Sequence, residues 1–207
     1  MAWIATENFE SYADNDDLNT KAGGTNWTGN WAVIAGAGTV QNTPTLEAGL
    51  CAEETGTNDV VRRTFTAVTD GIVSWIMRRD DLTTPGVGGV LLQNNTSGNG
   101  LLAVNFTGTN IDLVGTTTVS ILASPSTNTN YTIHLHIDRA NNRYRARVGS
   151  NEWSAYVTEQ GNEDPDRFVM RFQDSPSGSM WIDDIKAGSD PASASAGTKR
   201  RMLIGVG

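Results

Sequence analysis

Tyr131-Thr132-Ile133-His134-Leu135-His136-Ile137-Asp138-Arg139-Ala140-Asn141-Asn142-Arg143-Tyr144-Arg145-Ala146-Arg147-Val148 is the stretch that decides the fold. Tyr131, Ile133, Leu135 and Ile137 alternate with Thr132, His134, His136 and Asp138. Further on, Tyr144, Ala146 and Val148 alternate with Arg143, Arg145 and Arg147. A period of two is that of a strand with one face on a core and the other in water. Between the two runs, Ala140-Asn141-Asn142 supplies residues that tolerate the positive φ of a tight reversal. The stretch reads as an antiparallel hairpin, 131–139 against 142–148. If its strands pair, His134, His136, Arg143, Arg145 and Arg147 share one polar surface.

The same pattern extends in both directions. Phe168, Met170 and Phe172 alternate with Val169, Arg171 and Gln173. Short runs bounded by Gly, Asn, Asp or Pro predict strands near 4–10, 31–35, 46–52, 59–68, 71–79, 87–93, 100–106, 110–115, 117–122, 152–157, 167–173 and 179–187. Few segments carry helical spacing. A hydrophobic share of 38 %, a charged share of 18 % and 22 glycines leave room for Thr, Asn and Ser, which favours strands and turns over helices. So many strands in one chain predict an all-β, two-sheet antiparallel sandwich.

Charge and cysteine narrow the function classes. The net charge of -8 disfavours a broad phosphate-binding surface, so no nucleic acid partner is expected. A single cysteine, Cys51, excludes an intrachain disulfide and a cysteine zinc site. No apolar run reaches the length of about 18 residues that a membrane span needs. The stretch Met1-Ala2-Trp3-Ile4-Ala5-Thr6-Glu7 lacks the basic and apolar regions of a secretory signal.

Composition changes after Gly188. Residues 189–197 are rich in Ser and Ala and read as a linker. A basic triplet, Lys199-Arg200-Arg201, and an apolar tip, Met202-Leu203-Ile204-Gly205-Val206-Gly207, follow. The division is therefore 1–188 for the sandwich and 189–207 for an extended C-terminal tail. Ordering the linker costs about 1–2 kcal/mol per residue, so only a pre-formed groove could hold the tip; docking on a neighbouring subunit or on the domain is expected, with a frayed terminus as the alternative.

Two motifs bracket the sandwich. Asn8-Phe9-Glu10-Ser11-Tyr12 opens it, with Gly23-Gly24-Thr25-Asn26-Trp27 behind, and Met180-Trp181-Ile182-Asp183-Asp184-Ile185 closes it. This pairing resembles the concanavalin A-like lectin/glucanase superfamily, laminin-G-like modules included. The resemblance covers roughly residues 4–188. It implies a jelly roll of two curved sheets with adjacent terminal strands, and glycan recognition on the concave face. It also implies a structural calcium held by Glu10 with Asp183 or Asp184, for which two carboxylates plus loop carbonyls suffice. An Asp–Arg ion pair or a turn-capping carboxylate is the alternative. The run Asp14-Asn15-Asp16-Asp17 lacks the Gly and Glu of an EF-hand loop and reads as solvated.

Catalytic patterns are missing. Glucanases of that superfamily carry Glu-x-Asp-x-x-Glu on one strand, and no such string occurs here. Glu53 and Glu54 are adjacent, so a strand sends them to opposite faces. Neither a Gly-x-Ser-x-Gly elbow nor a phosphate-binding glycine loop is present. The expectation is a protein that is not an enzyme. Candidate glycan contacts are Trp75, His134, His136, Arg143, Arg145 and Trp153, with a core position as the alternative for Trp75, which lies in an apolar run, and ion pairing or solubility as the alternative for the arginines. Trp27 and Trp31 are expected to seal one end of the sandwich.

Two functions remain. One is a structural subunit of an assembled particle, a phage virion decoration, fibre or tail protein, partnered by copies of itself and by capsid or tail proteins and located on that particle. The other is a lectin-like module that binds surface glycans. The particle reading ranks slightly ahead, on the tail and the absent catalytic motifs.

Overall fold

The structure, a computed structural model, describes residues 3–47, 49–55, 58–82, 87–173 and 178–188. Among the described residues fifteen strands follow in order: β1 Trp3–Glu7, β2 Ala32–Ala35, β3 Thr39–Gln41, β4 Cys51–Glu54, β5 Asp59–Thr64, β6 Asp70–Arg79, β7 Val87–Gln93, β8 Gly100–Phe106, β9 Asn110–Val114, β10 Thr118–Ala123, β11 Tyr131–Asp138, β12 Arg143–Val148, β13 Val157–Thr158, β14 Arg167–Gln173 and β15 Met180–Gly188. Among the described residues the only helical element is a 3₁₀ turn, Arg139–Asn141, where Asn142 takes the positive φ that closes the β11–β12 hairpin. No helix there is long and apolar enough to cross a membrane.

The strands form two antiparallel sheets. One runs β13-β12-β11-β6-β15-β4-β3, with β1 also on β15; the other runs β10-β9-β8-β7-β14-β5-β2. The terminal strands are neighbours, as the resemblance implied: β1 pairs with Ile185–Gly188 of β15 and β4 with Met180–Ile182. Strand β15 thus changes partner midway, at a bulge where Asp184 has φ +48. Bulges re-aim side chains, and this one sets the position of Asp183.

Alternation fills the space between the sheets. Ile133, Leu135 and Ile137 of β11 and Val73, Trp75 and Met77 of β6 meet Phe168, Met170 and Phe172 of β14 in one core. Trp75 packs edge-on against Phe168, ring centroids 5.7 Å apart, which joins the two sheets.

Two of the expected strands are displaced. The run 46–52 is not a strand throughout: β4 begins at Cys51 and a short β3 precedes it. Leu46 instead packs from a loop onto Cys51, Ile76 and Trp181, a satellite apolar cluster beside the main core. The run 152–157 gives only the two-residue β13. There the Ser154 side chain accepts the Ala146 N–H that a ladder carbonyl would take.

A buried ion pair ties the opening segment to the other sheet. Glu7 of β1 accepts the Arg63 guanidinium of β5 at 2.6 Å, with both side chains nearly inaccessible. The same carboxylate accepts the Phe9 N–H, the Tyr12 hydroxyl and the Trp31 indole N–H. Arg63 also lies over the rings of Trp27 and Trp31, 5.0 and 5.6 Å from their centroids, and donates to the Gly29 carbonyl. The two tryptophans seal this end. Removing one partner of a buried pair leaves an uncompensated charge. Arg63→Met is therefore expected to lower stability by about 3–5 kcal/mol in urea unfolding. A loss below about 1 kcal/mol, the value of an exposed pair, would contradict this.

Candidate functional site

The polar surface of the hairpin exists and extends over four strands. Across β15, β6, β11 and β12 the register aligns Lys186, Ser74, His134 and Arg147 in one row. In the next row His136 stands opposite Arg145. The segment after β12 folds back so that Trp153 and Tyr156 cover the arginines. Arg145 lies 4.9 Å from the ring centroids of both, Arg147 lies 4.6 Å from Trp153, and Arg143 lies 4.2 Å from Tyr156. His136 packs edge-on against both rings. These contacts hold the guanidiniums against the rings.

Charges on this face are unevenly compensated. Arg143 is bound by Asp138 at 2.6 Å and Lys186 by Asp184. Among the described residues Arg145 and Arg147 make no ion pair, and their buried Nε atoms have no hydrogen-bond partner. His134 Nδ1 lies 3.1 Å from the Ser74 hydroxyl. Burial, then the charges of Arg147 and Lys186, push the His134 pKa below its ordinary value, so its imidazole is neutral near pH 7.

Five of the six candidate contacts converge here: His134, His136, Arg143, Arg145 and Trp153. Trp75 does not. It is fully buried on the inward side of β6 and belongs to the core. Strand β6 is buried on both faces, so its apolar run does not reveal which side faces out. Ser74, the neighbour of opposite parity, occupies the outer face. Tyr156 was missed; the signal was an aromatic three residues after Trp153, following the arginine strand.

The acidic pair sits at the bulge of β15. Asp183 is buried and accepts the Glu47 and Asp184 backbone N–H groups, while exposed Glu10 accepts the Leu50 N–H. The 42–50 loop is thus tied to both carboxylates. Burial, reinforced by the charges of Asp184 and Glu10 against those two N–H donors, pushes the Asp183 pKa up to about 7. A buried carboxylate whose pKa is raised, with a second carboxylate facing it, suits a hard divalent ion. Asp184 fits less well, since its carboxylate is engaged by Lys186. Among the described residues no cluster of three or more His, Cys, Asp or Glu groups can hold a metal, so the other ligands would be carbonyls and water.

A third feature escaped the sequence reading. On the second sheet, a shallow cavity of about 220 Å³ is floored by Leu91, Ala103 and Val114 and bordered by Gln160 and Arg171. Burial lowers the Arg171 pKa, and its Nε has no hydrogen-bond partner. Lys199, Arg200, Arg201, Met202, Leu203 and Ile204, expected to dock as a tail, lie outside the described residues.

No family model matches the sequence, and no curated protein matches it. Solved structures do resemble the fold. A sialidase aligns with a TM-score of 0.62 at 14% identity over 94% of this chain and 19% of its own length. Domain 4 of AbnA, a GH43 extracellular arabinanase from Geobacillus stearothermophilus, in complex with arabinotriose, gives 0.61 at 13% identity over 92% of this chain and 95% of that domain. The binding domain of botulinum neurotoxin DC in complex with SialylT gives 0.60 at 13% identity, covering 88% of this chain and 46% of that one. The chain therefore spans about a fifth of the sialidase, under half of the toxin domain and nearly all of the arabinanase domain. At such identities the likeness shows the fold alone, a two-sheet sandwich of jelly-roll type.

Cys51 offers a test of the packing under the loop. Its thiol is buried and directed at the Gln41 and Pro44 carbonyls. Burial, then the charges of Asp183 and Glu53, push its pKa up to about 12. The native protein is expected to resist iodoacetamide at pH 8 and to react once denatured. Rapid native alkylation would show that the loop does not cover this thiol.

Proposed function

We propose that this chain is a lectin-like carbohydrate-binding module of the concanavalin A-like superfamily, with its site on the outer face of the β12-β11-β6-β15 strands. The observation that carries the reading is the convergence of Arg145, Arg147 and His136 on the rings of Trp153 and Tyr156, beside the Ser74–His134 pair. Sugars are bound by apolar ring faces together with a few fixed polar groups. Trp153 and Tyr156 supply apolar contact, and the guanidiniums, His134 and Ser74 supply donors and acceptors for hydroxyls. The structural likeness to domains solved with arabinotriose and with SialylT supports this choice. The particle-subunit reading leaned on residues 189–207, which lie outside the described residues, and on absent catalytic motifs, which suit a lectin-like module equally.

Affinity electrophoresis through gels containing neutral and acidic polysaccharides tests the proposal. Retardation by at least one polymer is expected, weakened about tenfold by Trp153→Ala, since stacking on an aromatic contributes about 1–3 kcal/mol in related settings. No retardation by any polymer would overturn the reading.

We also propose that Glu10 and Asp183 hold a structural calcium that locks the 42–50 loop to β15. A ligand bound only by the folded state stabilises it, so chelation is expected to lower the melting temperature and calcium to restore it. Equal melting in chelator and in excess calcium would leave the two carboxylates as caps for the loop N–H groups only.

A further inference from the structure

The arginine face also indicates what kind of sugar it takes, an inference that rests on the glycan-binding reading and names its ligand class. The chain carries a net charge of -8, yet this face presents two guanidiniums with no carboxylate partner among the described residues. Their neighbours are already matched: Asp138 is taken by Arg143 and Asp184 by Lys186. Arg145 and Arg147 are two residues apart on β12, so they point the same way along one strand. Trp153 lies against both. A guanidinium carries five N–H donors in a rigid fork that matches planar oxyanions. Here the ring contacts hold each guanidinium in place, and among the described residues neither makes an ion pair. A surface arginine kept only for solubility needs no such fixing. Neutral His134 lies in the same row as Arg147, with the Ser74 hydroxyl beside it, and can serve hydroxyls next to the charge.

We propose that Arg145 and Arg147 select saccharides bearing an acidic group, with the anion on the two guanidinium forks and the sugar ring against Trp153. The anion can be a uronic or sialic carboxylate or a sulfate ester, and the two sources are separable by experiment.

The test is affinity electrophoresis of the full chain in gels containing polygalacturonate, dextran sulfate, dextran or arabinan. Retardation by polygalacturonate, by dextran sulfate or by both, but not by the neutral polymers, supports the inference, and the polymer that retards identifies the anion. The Arg145→Gln/Arg147→Gln variant is expected to lose at least about tenfold in affinity with an unchanged melting temperature. Where that variant does not fold, Arg147→Lys serves in its place: the charge stays, the fork is lost, and affinity is expected to fall severalfold. Equal retardation by dextran or arabinan overturns the acidic class and leaves the glycan reading standing. Retardation by no polymer overturns both. Acidic binding that is unaltered in the arginine variants overturns the assignment to this face.

Discussion

The register of β11 between β6 and β12 is the constraint on which the rest depends. Eight residues of β11 pair with Asp70–Met77 on one side and six with Arg143–Val148 on the other. That register turns Ile133, Leu135 and Ile137 inward to the core shared with the second sheet. It also places His134 between Ser74 and Arg147, and His136 beside Arg145. A slip of one residue would exchange the two sets, burying histidines and exposing isoleucines. The apolar core therefore holds the polar face in place.

Charged groups inside the sandwich are held by the same logic of matched partners. The Glu7 carboxylate gathers Arg63, Tyr12, Trp31 and the Phe9 N–H, so the opening segment is tied to the opposite sheet. Arg79 is fully buried, donates to the Phe106 carbonyl at 2.7 Å and lies over Phe106 and Phe172 of the second sheet. Both cations span the two layers. On the outer face Arg145 and Arg147 have aromatic contacts like these buried cations, and among the described residues they lack the carboxylate that Arg63 has. That contrast within one molecule separates a guanidinium matched to a carboxylate of its own protein from two that are not.

Much of the architecture was legible because half-buried strands write their period into the sequence. The β11–β12 hairpin, β14 and the pairing of the terminal strands all follow from alternation or from the bracketing motifs. Legibility failed where both faces are covered or where side chains replace the ladder. Strand β6 is apolar on both parities, because Ile76 is covered by Leu46 and Trp181, and so the sequence left Trp75 open between the core and the outer face; it lies in the core. The 42–50 loop is held by the carboxylates of Asp183 and Glu10, partners distant in sequence that no local pattern announces. Ser154 ends the pairing next to β12 through its side chain, and that detour brings Tyr156 onto the arginines. The cavity beside Arg171 is made by four strands and a loop, and none of them signals it alone.

The most direct test of the binding face is amide and indole chemical-shift mapping of the labelled chain during titration with trigalacturonate. The largest changes are predicted at Ser74, His134, Arg145, Arg147 and the Trp153 indole, with the second sheet unaffected. Changes centred on Leu91, Ala103, Gln160 and Arg171 would place the site on the opposite face and contradict the assignment.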